Sequence, residues 1–184
     1  MPRIPPISKD NAPEASKPML EGVQKKLGKV PNLLGTLATA PAGLATYMKL
    51  GEALSHASLN EKVREQIAVA IAQESGCEYC ASAHTAIGKM VGVDEGELSK
   101  NLEGKASDPK VQAAIDLSLA IVRERGWVTD EQFKAAKDAG LGDAQIIEVL
   151  SITMTNLFTN YANHMFKTAN DFPKVEIKKA VGAR

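Results

Sequence analysis

Apolar side chains recur at three- and four-residue intervals along the chain and alternate nowhere. A chain patterned this way buries its apolar surface as helices. Met19, Val23 and Leu27 keep a four-residue step, and Leu44, Tyr47, Met48, Gly51 and Leu54 share one face. Val111, Ala114, Leu117, Ala120 and Ile121 form a third stripe. Aromatic residues are only 4% of the chain, which disfavours a sandwich or barrel and suits Ala/Leu-rich helices. The 184 residues suffice for a single core. The fold class is all-α: a single-domain helical bundle whose short connections pack neighbours antiparallel.

Glycine, proline and capping residues divide the bundle. Ser16 and Pro18 open a helix over 17–27 that Gly28 ends, Pro31 opens a short one to Leu37, and Pro41 opens the next. Ser58-Leu59-Asn60-Glu61 is a capping-box pattern, so a helix should start at Ser58 and run to Glu74, before Gly76. Its middle, Ile67 to Ala72, is apolar all round and belongs inside the bundle. Further helices are expected from about Cys77 to Val91, after Asp94, over 109–125, over 131–139 behind Thr129-Asp130, and from Asp143 to about Ala169. Leu59 to His84 and Leu141 to Phe166 begin alike, which raises a duplicated helical pair. The proline-rich residues 1–16 read as an extended arm, either disordered or lying on a neighbouring subunit. The helical domain takes 17–172, and 173–184, with Lys174, Lys178 and Lys179, reads as a loose basic tail.

Charge and hydropathy exclude several function classes. With 22 basic and 22 acidic residues there is no bulk attraction to nucleic acid or anionic membrane. The longest apolar run is too short to span a bilayer, and Met-Pro-Arg-Ile-Pro-Pro is no secretory signal, so a cytoplasmic protein is expected. Leu33, Leu34, Leu37, Tyr47, Met48 and Leu50 offer more apolar surface than a small bundle covers, which predicts a homo-oligomer.

The only cysteines, Cys77 and Cys80, stand three residues apart after a glycine break, with His84 four residues further on. A disulfide closing so short a loop removes little unfolded-state entropy, which leaves redox chemistry or metal binding. On a helix these three residues form one stripe, and the cysteines fall in the first turn, where free N–H groups and the helix dipole favour thiolate. His84 lies one turn from Cys80 but seven residues, roughly 10 Å of rise, from Cys77. That makes Cys80 the activated nucleophile and Cys77 the resolving partner. A carboxylate should orient the histidine, and Glu65, Glu74 and Glu78 are all candidates.

Glu65, then Cys77-x-x-Cys80-x-x-x-His84 after an eleven-residue gap, resembles the motif of alkylhydroperoxidase AhpD in the carboxymuconolactone decarboxylase superfamily. Gly28-Lys29-Val30-Pro31-Asn32 and Ala40-Pro41 are similar to the lead-in of its peroxidase-related members, and the likeness runs from about Gly28 to Phe172. The resemblance implies an AhpD-like bundle, a trimer or dimer of trimers, and a thiol-dependent reductase of hydroperoxides. It selects Glu65 for the proton relay with His84, puts the sulfenic acid on Cys80, and makes Cys77 first a proton donor and then the resolving thiol. The partners implied are a hydroperoxide and an external dithiol, with no organic cofactor or metal. The decarboxylase branch lacks the cysteine pair, so its reaction is not implied. AhpD proteins carry a histidine immediately before the second cysteine, where this chain has Tyr79.

Two other classes compete: a non-catalytic redox-sensing or protein-binding module, and a small metal-binding helical protein. Cys77, Cys80 and His84 could supply three zinc ligands, one short of a structural site. His56 suits a helix C-terminus, His164 an ordinary packed or exposed position, and Trp127 a plug at the bundle end. Thr153, Asn156, Asn160 and Asn163 form an uncharged stripe on the last helix, either solvated or lining a pocket wall.

Overall fold

A computed structural model describes residues 1–178. Among the described residues nine α-helices follow one another: α1 (Lys17–Leu27), α2 (Asn32–Leu37), α3 (Pro41–Leu54), α4 (Glu61–Glu74), α5 (Glu78–Met90), α6 (Glu95–Leu102), α7 (Pro109–Arg123), α8 (Asp130–Asp138) and α9 (Asp143–Phe166). No strand occurs among the described residues. Helix α4 is the hub and packs against α5, α6, α7 and α9. All its residues from Gln66 to Ala72 are buried, as its unbroken apolar centre requires.

The α4 start differs from the capping-box reading. Asn60 is the cap, its side chain accepting the Val63 N–H at 3.1 Å. Ser58 instead gives its N–H and hydroxyl to the Glu148 carboxylate on α9, at 2.7 and 2.8 Å. A long-range carboxylate thus outcompetes the local cap, and the helix begins after it.

The segments 59–84 and 141–166 do not fold alike, so the duplicated helical pair is not found there. The first breaks at Gly76, whose φ of 68° is left-handed, into α4 and α5, while α9 runs unbroken for 24 residues. That break places two cysteines at a buried helix start.

Residues 1–16 lie on their own chain. They contain two single 3-10 turns, and the Ile7 N–H bonds the Gly35 carbonyl at 3.2 Å. A Cβ at Gly35 would sit 2.9 Å from that of Pro6, so glycine lets the segment close over α2. Of the apolar surface from which an oligomer was expected, Leu33, Leu34 and Leu37 are buried, Tyr47 and Met48 half-buried, and only Leu50 is exposed. The uncovered apolar face is on α9 instead, where Ile147, Leu150, Met154, Tyr161 and Met165 are exposed. Trp127 is no plug: after Arg125 and Gly126, both left-handed, it is 86% exposed.

Residues 173–178 are tied down rather than loose. Val175 donates to Ser82 Oγ at 3.1 Å, and Lys178 and Gln73 exchange two hydrogen bonds. Half-buried Gln73 on α4 and buried Ser82 on α5 supply anchors that tail composition does not reveal. Residues 179–184, with Lys179, lie outside the described residues.

Candidate active site

The turn Ser75-Gly76 reverses the chain so that Cys77 caps α5, its Sγ accepting the Cys80 N–H at 3.3 Å. The two sulfurs are 2.7 Å apart and both are buried free thiols. A formed S–S bond is about 2.05 Å, so a small inward shift would close the pair. One turn on, His84 Nδ1 meets Glu65 Oε2 of α4 at 2.8 Å. All four expected site residues therefore sit in one place, and Glu65 faces His84 where Glu74 instead pairs with Arg123.

The charge distribution differs from the expected one. The Cys80 S–H is the largest influence on Cys77; burial opposes it, and His164 and the Cys80 N–H reinforce it, holding Cys77 down at about 5. Burial first, then the hydrogen bond and charge of Cys77, push Cys80 far above the ordinary thiol range, and contacts from Asn163 and Thr159 only partly offset this. The direction favours charge on Cys77 over Cys80, and the two sulfurs share one hydrogen bond. The reason is local: the cap position collects the donors, while His84 turns to Glu65 instead of a sulfur. Burial lowers His84, but the Glu65 charge and hydrogen bond, with the Cys77 charge, raise it overall. It is suited to giving a proton rather than taking one.

A narrow cavity of about 70 Å³ opens on Cys80 and His84, with Thr159, Asn163, Tyr47 and Phe172 among its walls. Asn163 Nδ2 donates to Cys80 Sγ at 3.2 Å, and its buried Oδ1 has no partner. Burial, then the Glu65 charge, push Tyr47 up to about 12, so it stays a phenol. Tyr79, where AhpD has histidine, has a structural contact set. It accepts the Leu33 N–H and donates to Asp171 at 2.9 Å, and its ring meets Phe172 edge-on. Asp171 also takes Lys29 Nζ and the Asn32 N–H, which pins Phe172 over the cavity.

Sequence reasoning missed Asn163 and Thr159 as neighbours of the sulfur and set His164 aside. For Asn163 the signal was present, because it belongs to the polar stripe of α9 for which a pocket wall was one reading; Thr159 lies outside that stripe, and of the stripe only Asn163 lines the cavity. Nothing local connects His164 to Cys77, 87 residues earlier (164 − 77). Among the described residues, no three histidine, cysteine or acidic side chains are grouped to hold a metal ion. None of the described helices is long and apolar enough to cross a membrane.

The site is thus a buried dithiol at a helix start, with a His–Glu pair one turn on, in an all-helical bundle. Residues 41–124 match the family model of the carboxymuconolactone decarboxylase family. Among solved structures, the chain is similar to an alkylhydroperoxidase AhpD core from Ralstonia eutropha, described as an uncharacterized peroxidase-related protein. That match has 25% identity, 92% coverage of both chains and a TM-score of 0.81. A peroxidase-related protein from a Silicibacter species matches at 21% identity, 92% coverage of each and TM-score 0.80. The debrominase Bmp8, as a cysteine-to-alanine variant in complex with 2,3,4-tribromopyrrole, matches at 20%, 91% of each and 0.79. No curated protein matches the chain. Over residues 41–124 the chain is thus similar to the carboxymuconolactone decarboxylase family, and its all-helical fold is the one seen in the AhpD-like structures.

Proposed function

We propose that the chain is a thiol-dependent hydroperoxide reductase working through Cys77 and Cys80. The observation that carries this reading is the joined arrangement: sulfurs at 2.7 Å, one lining a cavity with a His84 that is paired to Glu65 at 2.8 Å. A hydroperoxide in the cavity meets Cys80. The Cys77 thiolate takes the Cys80 proton, and Cys80 attacks the outer peroxide oxygen. The O–O bond breaks, and His84, charged beside Glu65, protonates the departing alkoxide. Asn163 Oδ1 is free to accept the hydroperoxide O–H. The products are an alcohol and Cys80 sulfenic acid. Cys77 then attacks the sulfenic sulfur, water leaves, and an external dithiol later reopens the disulfide. Such a cycle suits the cytoplasm, where dithiol donors are kept reduced.

We also propose a homo-oligomer assembled through the exposed apolar face of α9. A monomeric mass by light scattering at micromolar concentration would rule it out. Steady-state consumption of tert-butyl hydroperoxide with excess dithiothreitol tests the enzymatic reading. Turnover lost in Cys80→Ser supports it; a protein that oxidises once and never turns over is a redox sensor instead.

A further inference from the structure

Residues 168–178 contain no helix and no strand, yet side chains fix their course past the Cys80 cavity. Asn170 is the first tie. Its Oδ1 accepts the Phe172 N–H at 3.0 Å, and its Nδ2 donates to Ser82 Oγ at 3.0 Å. Such an asparagine turn sets the direction of the backbone at Phe172. Asp171 is the second tie. Its carboxylate accepts from Lys29 Nζ at 3.0 Å, the Asn32 N–H at 3.3 Å and the Tyr79 hydroxyl at 2.9 Å. Lys29 also donates to the Asp171 carbonyl, and its Nζ stands 4.1 Å from the centre of the Phe172 ring. On either side, the Asn32 amide donates to the Ala169 carbonyl at 3.0 Å and the Val175 N–H to Ser82 Oγ at 3.1 Å. The cavity wall itself divides by depth. Cys80, Asn163 and Thr159 are buried at its floor, whereas Leu27, Ile87 and Phe172 are half-buried at its mouth. At a liquid share of about 30 Å³ per water, its volume of about 70 Å³ seats about two water-sized groups. The two oxygens of a peroxide fill that room, so the organic part of a substrate has to lie between the apolar side chains of the mouth.

We propose that Phe172, fastened by Asp171 and Lys29, is the residue that sets the size of substrate reaching Cys80. The mouth takes a compact alkyl hydroperoxide such as tert-butyl hydroperoxide. It turns away an arylalkyl one such as cumene hydroperoxide, whose ring competes for the place of the Phe172 ring. The peroxide group rests on the function proposed above, while the size limit rests on the cavity and its wall. Asp171 and Lys29 act through Phe172 and are positioning residues. Without the Asp171 carboxylate the segment loses its charged tie to the turn between α1 and α2, and a coil held by few hydrogen bonds opens locally at little cost.

Two series of rates test this. In the first, kcat/KM is measured for tert-butyl and cumene hydroperoxide. Wild type should prefer the smaller by about tenfold or more, the scale of a pocket that crowds a substrate. Phe172→Ala and Asp171→Ala should each lower that preference about tenfold through a faster cumene reaction. Phe172→Leu, the milder change in the wall, should fall between, and Lys29→Met should shift the ratio in the same direction. In the second series the same substitutions are placed in Cys77→Ser, and Cys80 is modified at pH 9 by methyl or benzyl methanethiosulfonate, with mass spectrometry as the readout. The methyl-to-benzyl ratio should fall as the peroxide ratio does. Equal rates for the two reagents before the wall is cut, or a ratio unmoved in both Phe172→Ala and Phe172→Leu, would overturn the size limit. So would a common acceleration of both reagents, which is what mere loosening of the fold produces. The second series uses no peroxide, so a protein inert to hydroperoxides still reports the size limit and the two readings fail separately.

Discussion

The two sulfurs are nearest neighbours in space but have different surroundings. On the inner side, Cys80 is a protonated thiol against a cavity, with Asn163 on the sulfur and the His84–Glu65 pair alongside. On the outer side, Cys77 caps α5, accepts the Cys80 N–H, and does not line the cavity. The difference shows how one C-x-x-C turn divides two tasks. The cap position collects the Cys80 N–H and S–H and favours charge, while the position three residues on turns inward and gains a cavity.

Removing each sulfur should break that division most strongly. Cys80→Ser should abolish peroxide turnover, because the remaining thiolate does not line the cavity. Cys77→Ser should consume one equivalent and stop as a sulfenic acid on Cys80 that dimedone traps. Dimedone labelling of Cys77 in Cys80→Ser at the wild-type rate would reverse the assignment. Next comes the inner histidine. His84→Ala should slow the peroxide step by about 100-fold at neutral pH, from loss of the proton donor, with Glu65→Gln losing less. Stopped-flow peroxide consumption reads both.

Asn163→Leu removes the donor to Cys80 and the free acceptor while keeping volume, and should cost about tenfold in the same assay, near the worth of one buried hydrogen bond. The sulfurs should also separate by pH. Cys77 sits below its unfolded value because the Cys80 S–H outweighs burial, with His164 adding, so its alkylation by iodoacetamide should rise through a midpoint of about 5. Cys80 should stay unreactive to well above the ordinary thiol range. By linkage, the stability that Cys77 contributes is complete above an unfolded thiol value of about 8.5. It shrinks as pH falls and is gone below about 5. The smallest effect belongs to Tyr79→Phe, which leaves Asp171 short of one donor. It should lower stability by about 1 kcal/mol, read by urea unfolding, with little change in turnover.

The inner half of the site was legible in the sequence because local periodicity builds it. Cys77, Cys80 and His84 lie on one helix, and Glu65 comes from the helix just before the glycine break. The stripe of Thr153 to Asn163 was visible too, though pattern alone could not separate a solvated face from a buried wall. What stayed hidden depends on distant packing. Asn163 reaches Cys80 only because α9 packs against α4 and α5, and the tail finds Ser82 and Gln73 across separations of 93 and 105 residues. Ser58 misled for the same reason, since Glu148 arrives from α9 to take its donors.

The proposal's core is that Cys77 and Cys80 are oxidised together by a hydroperoxide, and intact mass with thiol labelling reads this most directly. Reduced protein is given one equivalent of tert-butyl hydroperoxide, then denatured and alkylated. A working pair gives a product lighter by two hydrogens in which neither cysteine takes label. Two labels retained at unchanged mass, or an added oxygen on methionine with both thiols still free, would contradict it.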